Sequence, residues 1–184
     1  MSLITAVEAR TWLKIPSGTD VDPIIDLLIE SVSADCEAMV GGPVASTAFD
    51  RFLTSDGTSV LILPAAPVIS ITSIAIEGGA ALLAGWDKDY VLTNKTGLVR
   101  LTGGVFPNRP GAVHVVWIAG YSPVPNDLKV SIMKAVAFNV HGQDKRRQGV
   151  TSYTTESQSA QYTEKEYPDD VTNVWKRYRR LAIA

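Results

Sequence analysis

Hydrophobic spacing changes character twice along the chain, helical at both ends and strand-like in the middle. Near the N-terminus, Thr5-Ala-Val-Glu8 has the form of a capping box, in which hydroxyl and carboxylate each satisfy a free backbone N–H. It predicts a helix from Thr5 to about Lys14, ended by Ile15-Pro16-Ser17-Gly18. Asp22-Pro23 then offers a capping carboxylate followed by a proline at the first helical position, where its missing N–H costs nothing. Ile24, Ile25, Leu28, Ile29, Val32, Cys36, Met39 and Val40 keep a 3.6-residue period until Gly41-Gly42, which predicts a second, longer helix with one buried face.

From Phe49 to Ala119 short runs rich in Val, Ile and Thr alternate with turn residues, the pattern of an antiparallel β-block. Residues 48–54 and 59–63 flank Ser55-Asp56-Gly57-Thr58, a connection suited to a hairpin because Gly57 takes positive φ cheaply. In residues 68–77 the apolar parity changes between Ile69/Ile71 and Ile74/Ile76, which predicts a bulge near Thr72-Ser73. Residues 90–93 and 98–102 bracket Asn94-Lys-Thr-Gly97 as a second hairpin, and residues 113–119 make the last strand. Asn94-Lys95-Thr96 matches a glycosylation pattern but reads as turn chemistry at a strand end.

Helical spacing returns after Pro125: Asn126 or Asp127 caps a third helix to about His141, with Val130, Met133, Val136, Ala137 and Val140 on its buried stripe. Residues 142–170 are too polar to bury a core of their own and read as an extended arm. Asp169-Asp170 caps a terminal helix with Val171, Val174, Trp175, Tyr178 and Leu181 on one face and Lys176, Arg177, Arg179 and Arg180 in its last turns. The fold class is therefore α+β: a small helical body of about four helices, an inserted antiparallel β-subdomain, and a C-terminal arm ending in a helix. The expected boundaries are 1–46 and 122–142 for the body, 47–121 for the β-subdomain, and 143–184 for the arm and its helix.

Composition narrows the function classes. With 184 residues, 46% hydrophobic and 20% charged, the chain can bury a core without staples. A formal charge of −2 argues against non-specific coating of nucleic acid. One cysteine makes neither an internal disulfide nor a cysteine-based zinc site. The N-terminus lacks the pattern of a signal peptide, and the apolar run 60–69, broken by Pro64 and Pro67, is too short to span a membrane.

Catalytic candidates are thin. Cys36 falls on the apolar face of the second helix, where a thiol acts as a small core residue. His114 lies on a strand, and His141 lies at a helix end, where an imidazole complements the dipole. Gly78-Gly79 and Gly103-Gly104 lack nucleotide-binding spacing and read as turns. No catalytic residue, cofactor or metal is expected. From residue 141 onward there are 8 basic and 6 acidic residues, against 9 and 13 before it, and the basic clusters are Lys145-Arg146-Arg147 and Lys176-Arg177 with Arg179-Arg180. Tyr153, Tyr162, Tyr167, Trp175 and Tyr178 also fall in this segment, and aromatics beside arginines are the material of protein interfaces.

The order of several motifs resembles the head-tail connector, or adaptor, proteins of long-tailed bacteriophages, prophages and gene-transfer particles. These are the helices at 5–14 and 23–40, Leu61-Ile-Leu-Pro64, Pro67-Val-Ile-Ser-Ile-Thr-Ser-Ile74, Asp89-Tyr-Val-Leu92, Gly97-Leu-Val-Arg-Leu101, Val115-Val-Trp-Ile-Ala-Gly-Tyr121 and Trp175-Lys-Arg-Tyr-Arg-Arg180. The resemblance implies a structural virion protein assembled in the bacterial host cytoplasm. It implies a ring, typically of twelve subunits, beneath the portal protein, which extends the DNA channel and receives the next stopper or tail-completion protein. Packaged DNA would touch it transiently and without sequence preference.

On local chemistry, the expected portal or neighbour-subunit contacts are Tyr162, Tyr167, Trp175, Arg177, Tyr178, Arg179 and Arg180, and Lys145, Arg146 and Arg147 are candidates for DNA-channel or partner contact. Truncation at about Asp170 would then abolish attachment without unfolding the body. The alternative is a ligand-binding module that uses Trp86, Trp117 or Tyr121 of the β-block, and it requires these aromatics to be exposed on one sheet face.

Overall fold

A computed structural model describes residues 2–16, 22–144, 152–155, 158–161 and 167–179. In chain order its elements are α1 (Ala6–Leu13), α2 (Asp22–Val40), β1 (Thr47–Leu53), β2 (Val60–Ile62), β3 (Val68–Ile76), β4 (Tyr90–Thr93), β5 (Leu98–Leu101), β6 (Val113–Ala119), α3 (Asn126–Asp144), β7 (Ser152–Thr155), β8 (Gln158–Gln161) and α4 (Asp169–Arg177). They divide into two units, Met1–Gly41 with Pro125–Ala184, and Gly42–Val124. The architecture is α+β, as the sequence predicts.

The helical unit is organised around α3, against which α1, α2 and α4 all pack. Helix α1 starts with the predicted capping box: the Glu8 N–H donates to Thr5 Oγ1 at 3.2 Å and the Thr5 N–H to Glu8 Oε2 at 2.7 Å. Helix α2 ends at Gly41, which takes φ 82° and returns its N–H to the Glu37 carbonyl at 2.9 Å. Its buried face is Ile25, Ile29, Val32, Ser33, Cys36 and Val40. Ile24, expected on that face, is 46% exposed, because it lies about 100° round the helix from Ile25 and outside the arc that neighbours cover.

On α3 the fully buried residues are Leu128, Ser131, Ile132, Ala135 and Val136; of the expected stripe only Val136 is among them, with Val130, Met133, Ala137 and Val140 half-buried. Three helical neighbours widen and rotate the covered arc beyond what a single stripe predicts. The arm expected to be extended contains a hairpin, β7 paired antiparallel with β8 from Ser152↔Gln161 to Thr155↔Gln158.

The second unit holds two three-stranded antiparallel sheets, ordered β1-β6-β3 and β2-β5-β4, whose inner faces share one hydrophobic cluster. Strand β6 is central and alternates strictly, with Val113, Val115, Trp117 and Ala119 buried and His114, Val116 and Ile118 half-covered. Phe49 of β1 stacks on Trp117 at 5.0 Å between ring centroids, and Trp117 Nε1 donates to the Ala65 carbonyl at 3.3 Å. The β4–β5 hairpin forms as predicted, and β3 shifts register between Ile71 and Ser73, where a bulge is expected, and also between Val68 and Ser70.

The first predicted hairpin does not form. Strand β1 pairs with β6 over seven residues, Thr47↔Ala119 to Leu53↔Val113, while β2 pairs with β5. Gly57 does take positive φ, at 74°, but the loop around it is tied to a distant segment: Ser55 Oγ donates to the Pro107 carbonyl at 2.7 Å and the Phe106 N–H to the Thr58 carbonyl at 2.8 Å.

Candidate functional site

Helix α4 begins at Pro168, which makes no side-chain cap bond, so Asp169 and Asp170 occupy the first turn rather than the cap. There they complement the positive end of the helix dipole, and Asp170 accepts from Lys134 Nζ at 2.7 Å. That bond to lysine is the main reason the Asp170 carboxyl is held below its ordinary range.

Two of the predicted interface aromatics face inward. Trp175 is fully buried, donates through Nε1 to Ser131 Oγ at 2.9 Å, and meets Tyr167 edge-on at 5.0 Å. Tyr167 is 6% exposed and donates its hydroxyl to the Asp35 carboxylate of α2. Both are core residues of their own unit, because a Trp or Tyr whose polar tip finds an internal partner is stably buried. Tyr178 is half-buried and donates to both Asp127 oxygens, at 2.7 and 2.9 Å.

What α4 presents outward is charge: Lys176, Arg177 and Arg179 are exposed at its C-terminal end, where cations suit the helix dipole. Tyr162, Arg180, Lys145, Arg146 and Arg147 lie outside the described residues. Ser131 and Asp35, which bond Trp175 and Tyr167, are not marked by the sequence pattern, and Asp127, read there as a cap of α3, also accepts from Tyr178; Ser131 carries a signal, one helical turn from Leu128 and next to Ile132 on the buried arc.

The remaining candidates offer little chemistry. Cys36 is fully buried, and burial pushes its thiol up to about 12, which leaves it inert at neutral pH. His114 Nε2 lies 2.6 Å from Asp50 Oδ1, with Phe52 stacked on the ring at 4.5 Å, on the half-covered face of the β1-β6-β3 sheet. A cleft of about 460 Å³ beside α1 and α2 is lined by Glu8, Asp26, Glu30 and Lys129, but its ion pair, Lys129 Nζ to Glu8 at 3.2 Å, and the capping box already occupy Lys129, Glu8 and Thr5.

Among the described residues no group of three or more metal-ligating side chains converges, and no helix is long and apolar enough to cross a membrane. The aromatics required by the ligand-binding alternative are dispersed: Trp117 is buried, Tyr121 half-buried, and Trp86 is 84% exposed on the loop between β3 and β4. Exposed aromatics therefore do not cluster on one sheet face.

Residues 2–181, nearly the whole chain, match the family model for head completion proteins. The chain belongs to the head completion protein family. That family is one of structural virion proteins rather than a class of enzyme. No curated protein matches the chain. Among solved structures this head completion protein is similar to a chain in the neck of an empty gene transfer agent particle computed with C6 symmetry. The TM-score is 0.66 at 19% identity, covering 99% of this chain and 92% of that one. It is also similar to a chain of the native gene transfer agent virion (TM-score 0.63, 18% identity, covering 99% and 92%). A third is a chain from the native neck computed with C12 symmetry (TM-score 0.63, 17% identity, covering 97% and 90%). At these identities the likeness establishes a shared fold.

Proposed function

We propose that this head completion protein is a head-tail connector that assembles as a ring of about twelve copies beneath the portal protein, extends the DNA channel and receives the next neck or tail-completion protein. The observation that carries this reading is the family match over residues 2–181, together with a fold shared with chains from particle necks computed with C6 and C12 symmetry. The dispersed aromatics and the inert, buried Cys36 give a ligand-binding or catalytic reading no comparable support.

In the proposed assembly the exposed Lys176, Arg177 and Arg179 face a portal or neighbouring subunit, while Trp175 and Tyr167 seat α4 on the helical unit. Tyr162 and Arg180 are further proposed contacts with the portal or a neighbouring subunit, and Lys145, Arg146 and Arg147 with the DNA channel or a partner. A formal charge of −2 is compatible with a channel, since DNA must slide through it and dense phosphate contacts would retard it. The mature protein is expected in the virion, after assembly in the host cytoplasm.

The test is affinity capture of the tagged full chain from cells making the particle, with mass spectrometry of its partners and negative-stain imaging. A portal-bound ring is the expected result. A monomer bound to no virion protein overturns the proposal.

A further inference from the structure

Helix α2 has a second face that its own unit does not use. Opposite the buried arc lie Ile24, Leu27, Ser31, Ala34 and Ala38, all exposed, with Leu27 at 67%. Their spacing alternates three and four residues, the a/d pattern of a seam between two packed helices. None of the five carries a charge, whereas the outward face of an ordinary surface helix is charged or polar. Small residues at Ser31, Ala34 and Ala38 allow close approach by a partner.

Asp26 and Glu30, both exposed, and Glu37, half-buried, run along one flank of this stripe, and α2 contains no basic residue. Asp26 and Glu30 have no ion-pair partner among the described residues. The same chain presents the complementary chemistry on a different element, where Lys176, Arg177 and Arg179 stand exposed at the end of α4. Arginine stems cover small and apolar side chains while their guanidinium groups reach carboxylates at the edge.

We infer that the outward stripe of α2 is the seat of a second copy of this chain, which lays the exposed basic end of its α4 along Ile24, Leu27 and Ala34 and pairs its arginines with Asp26 and Glu30. The contact is heterologous, joining two different faces, and repeated heterologous contacts make a ring where the rotation between neighbours closes. It rests on the ring reading proposed above and names the surfaces that make it. The stripe runs about 21 Å at 1.5 Å per residue. One such seam covers far less than the ~800 Å² per partner of a standard stable pair, so it contributes within a closed ring rather than to a free dimer.

The test uses the full chain inside particles. Two differently tagged forms, one Ala34→Cys and one Arg177→Cys, are co-expressed in cells making the particle, and purified particles are treated with a short bis-maleimide; Cys36 is buried and silent. A cross-link between the two forms is expected, absent when either form is present alone. Ala38→Cys serves as the second position should Ala34→Cys not be incorporated. Particles that contain both forms but give no cross-link, a homodimer from Ala34→Cys alone, or a cross-link from Ala34→Cys to a different protein would each overturn the inference. In parallel, Asp26→Lys with Glu30→Lys should lower incorporation by at least about tenfold, and full incorporation of that variant overturns it as well. Failure of the connector reading looks different: the unaltered chain is then missing from the particle.

Discussion

Replacing Trp175 by alanine separates a core role for α4 from a docking role. The indole is fully buried, its Nε1–H bonds Ser131 Oγ at 2.9 Å, and its ring meets Tyr167 edge-on. Truncating a buried aromatic to alanine costs about 3–5 kcal/mol, and the lost aromatic contact, ~0.5–1.5 kcal/mol, is part of that sum. Ser131 retains its own bond to the Leu128 carbonyl at 2.7 Å, so the hydroxyl loses an incoming donor rather than its only partner. For a chain of this size each kcal/mol moves the midpoint by about 2–4 °C, so a loss of ~4 kcal/mol lowers it by roughly 8–16 °C. The assay is thermal denaturation followed by near-ultraviolet circular dichroism, with urea unfolding as a check. Trp175→Phe, which keeps most of the packing, should fall between wild type and alanine. A midpoint within about 2 °C of wild type for Trp175→Ala, coupled with lost attachment to particles, would refute the packing argument and restore Trp175 as a docking anchor. The same geometry changes the expected outcome of truncation: removal of residues from about Asp170 takes Trp175 out of the core and Asp170 away from Lys134, so it destabilises the helical unit as well as removing the basic end.

Three further outcomes follow from single sites. Glu8 is held below its ordinary value of 4.5, chiefly by the Thr5 N–H and then by Lys129. Its folded-state pKa thus lies below the unfolded one, and its contribution is present above about pH 4.5 and lost as pH falls through the lower folded value. Glu8→Gln should therefore shift the urea midpoint at pH 7, by an amount that shrinks as the pH falls progressively below about 4.5, and a shift that stays constant over that range contradicts the assignment. Gly120 takes φ 113°, and a Cβ added there would run into the Ala45 carbonyl and crowd Ser46 N, so Gly120→Ala should destabilise the β-unit by at least about 2 kcal/mol, measured by urea unfolding, and a neutral result refutes that close approach. Cys36, raised to about 12 by burial, should react with a thiol reagent at pH 8 only after denaturation; labelling of the native protein at the denatured rate contradicts its burial.

Local chemistry made much of this structure legible. The capping box at Thr5-Glu8, the stop at Gly41, the Asn94–Gly97 hairpin and the change of parity in β3 are each decided within a few residues, and each stands in the structure. Strand pairing is not decided locally. Ser55-Asp56-Gly57-Thr58 has good turn chemistry, but β2 is only three residues long, whereas pairing with β6 gives β1 seven registered positions and seats Phe49 on Trp117. A nearby turn signal loses to a distant partner that buries more apolar surface.

The two amphipathic helices invert the expectation drawn from their patterns. Trp175 and Tyr167, beside arginines, have the composition of an interface, yet Ser131 and Asp35 supply internal partners for both polar tips and draw the rings into the core. Ile24, by contrast, fits the period of the α2 core and stands 46% exposed with Leu27 beyond it. Period alone reports that apolar residues recur on a helix; it does not say which arc the chain's own neighbours cover. In α2 apolar and small residues occupy both the covered arc and its opposite, and only one arc can face α3. The arc left over is apolar at a cost in solubility that a free monomer gains nothing from, which is the physical reason to place a second subunit there. The charges agree with that placement, since the exposed Asp26 and Glu30 flank the uncovered arc of α2 and exposed bases stand at the end of α4, so each copy repels its own kind at like faces and attracts it at unlike ones. Such an arrangement disfavours an isologous dimer and favours a head-to-tail series, the kind of contact a ring is built from.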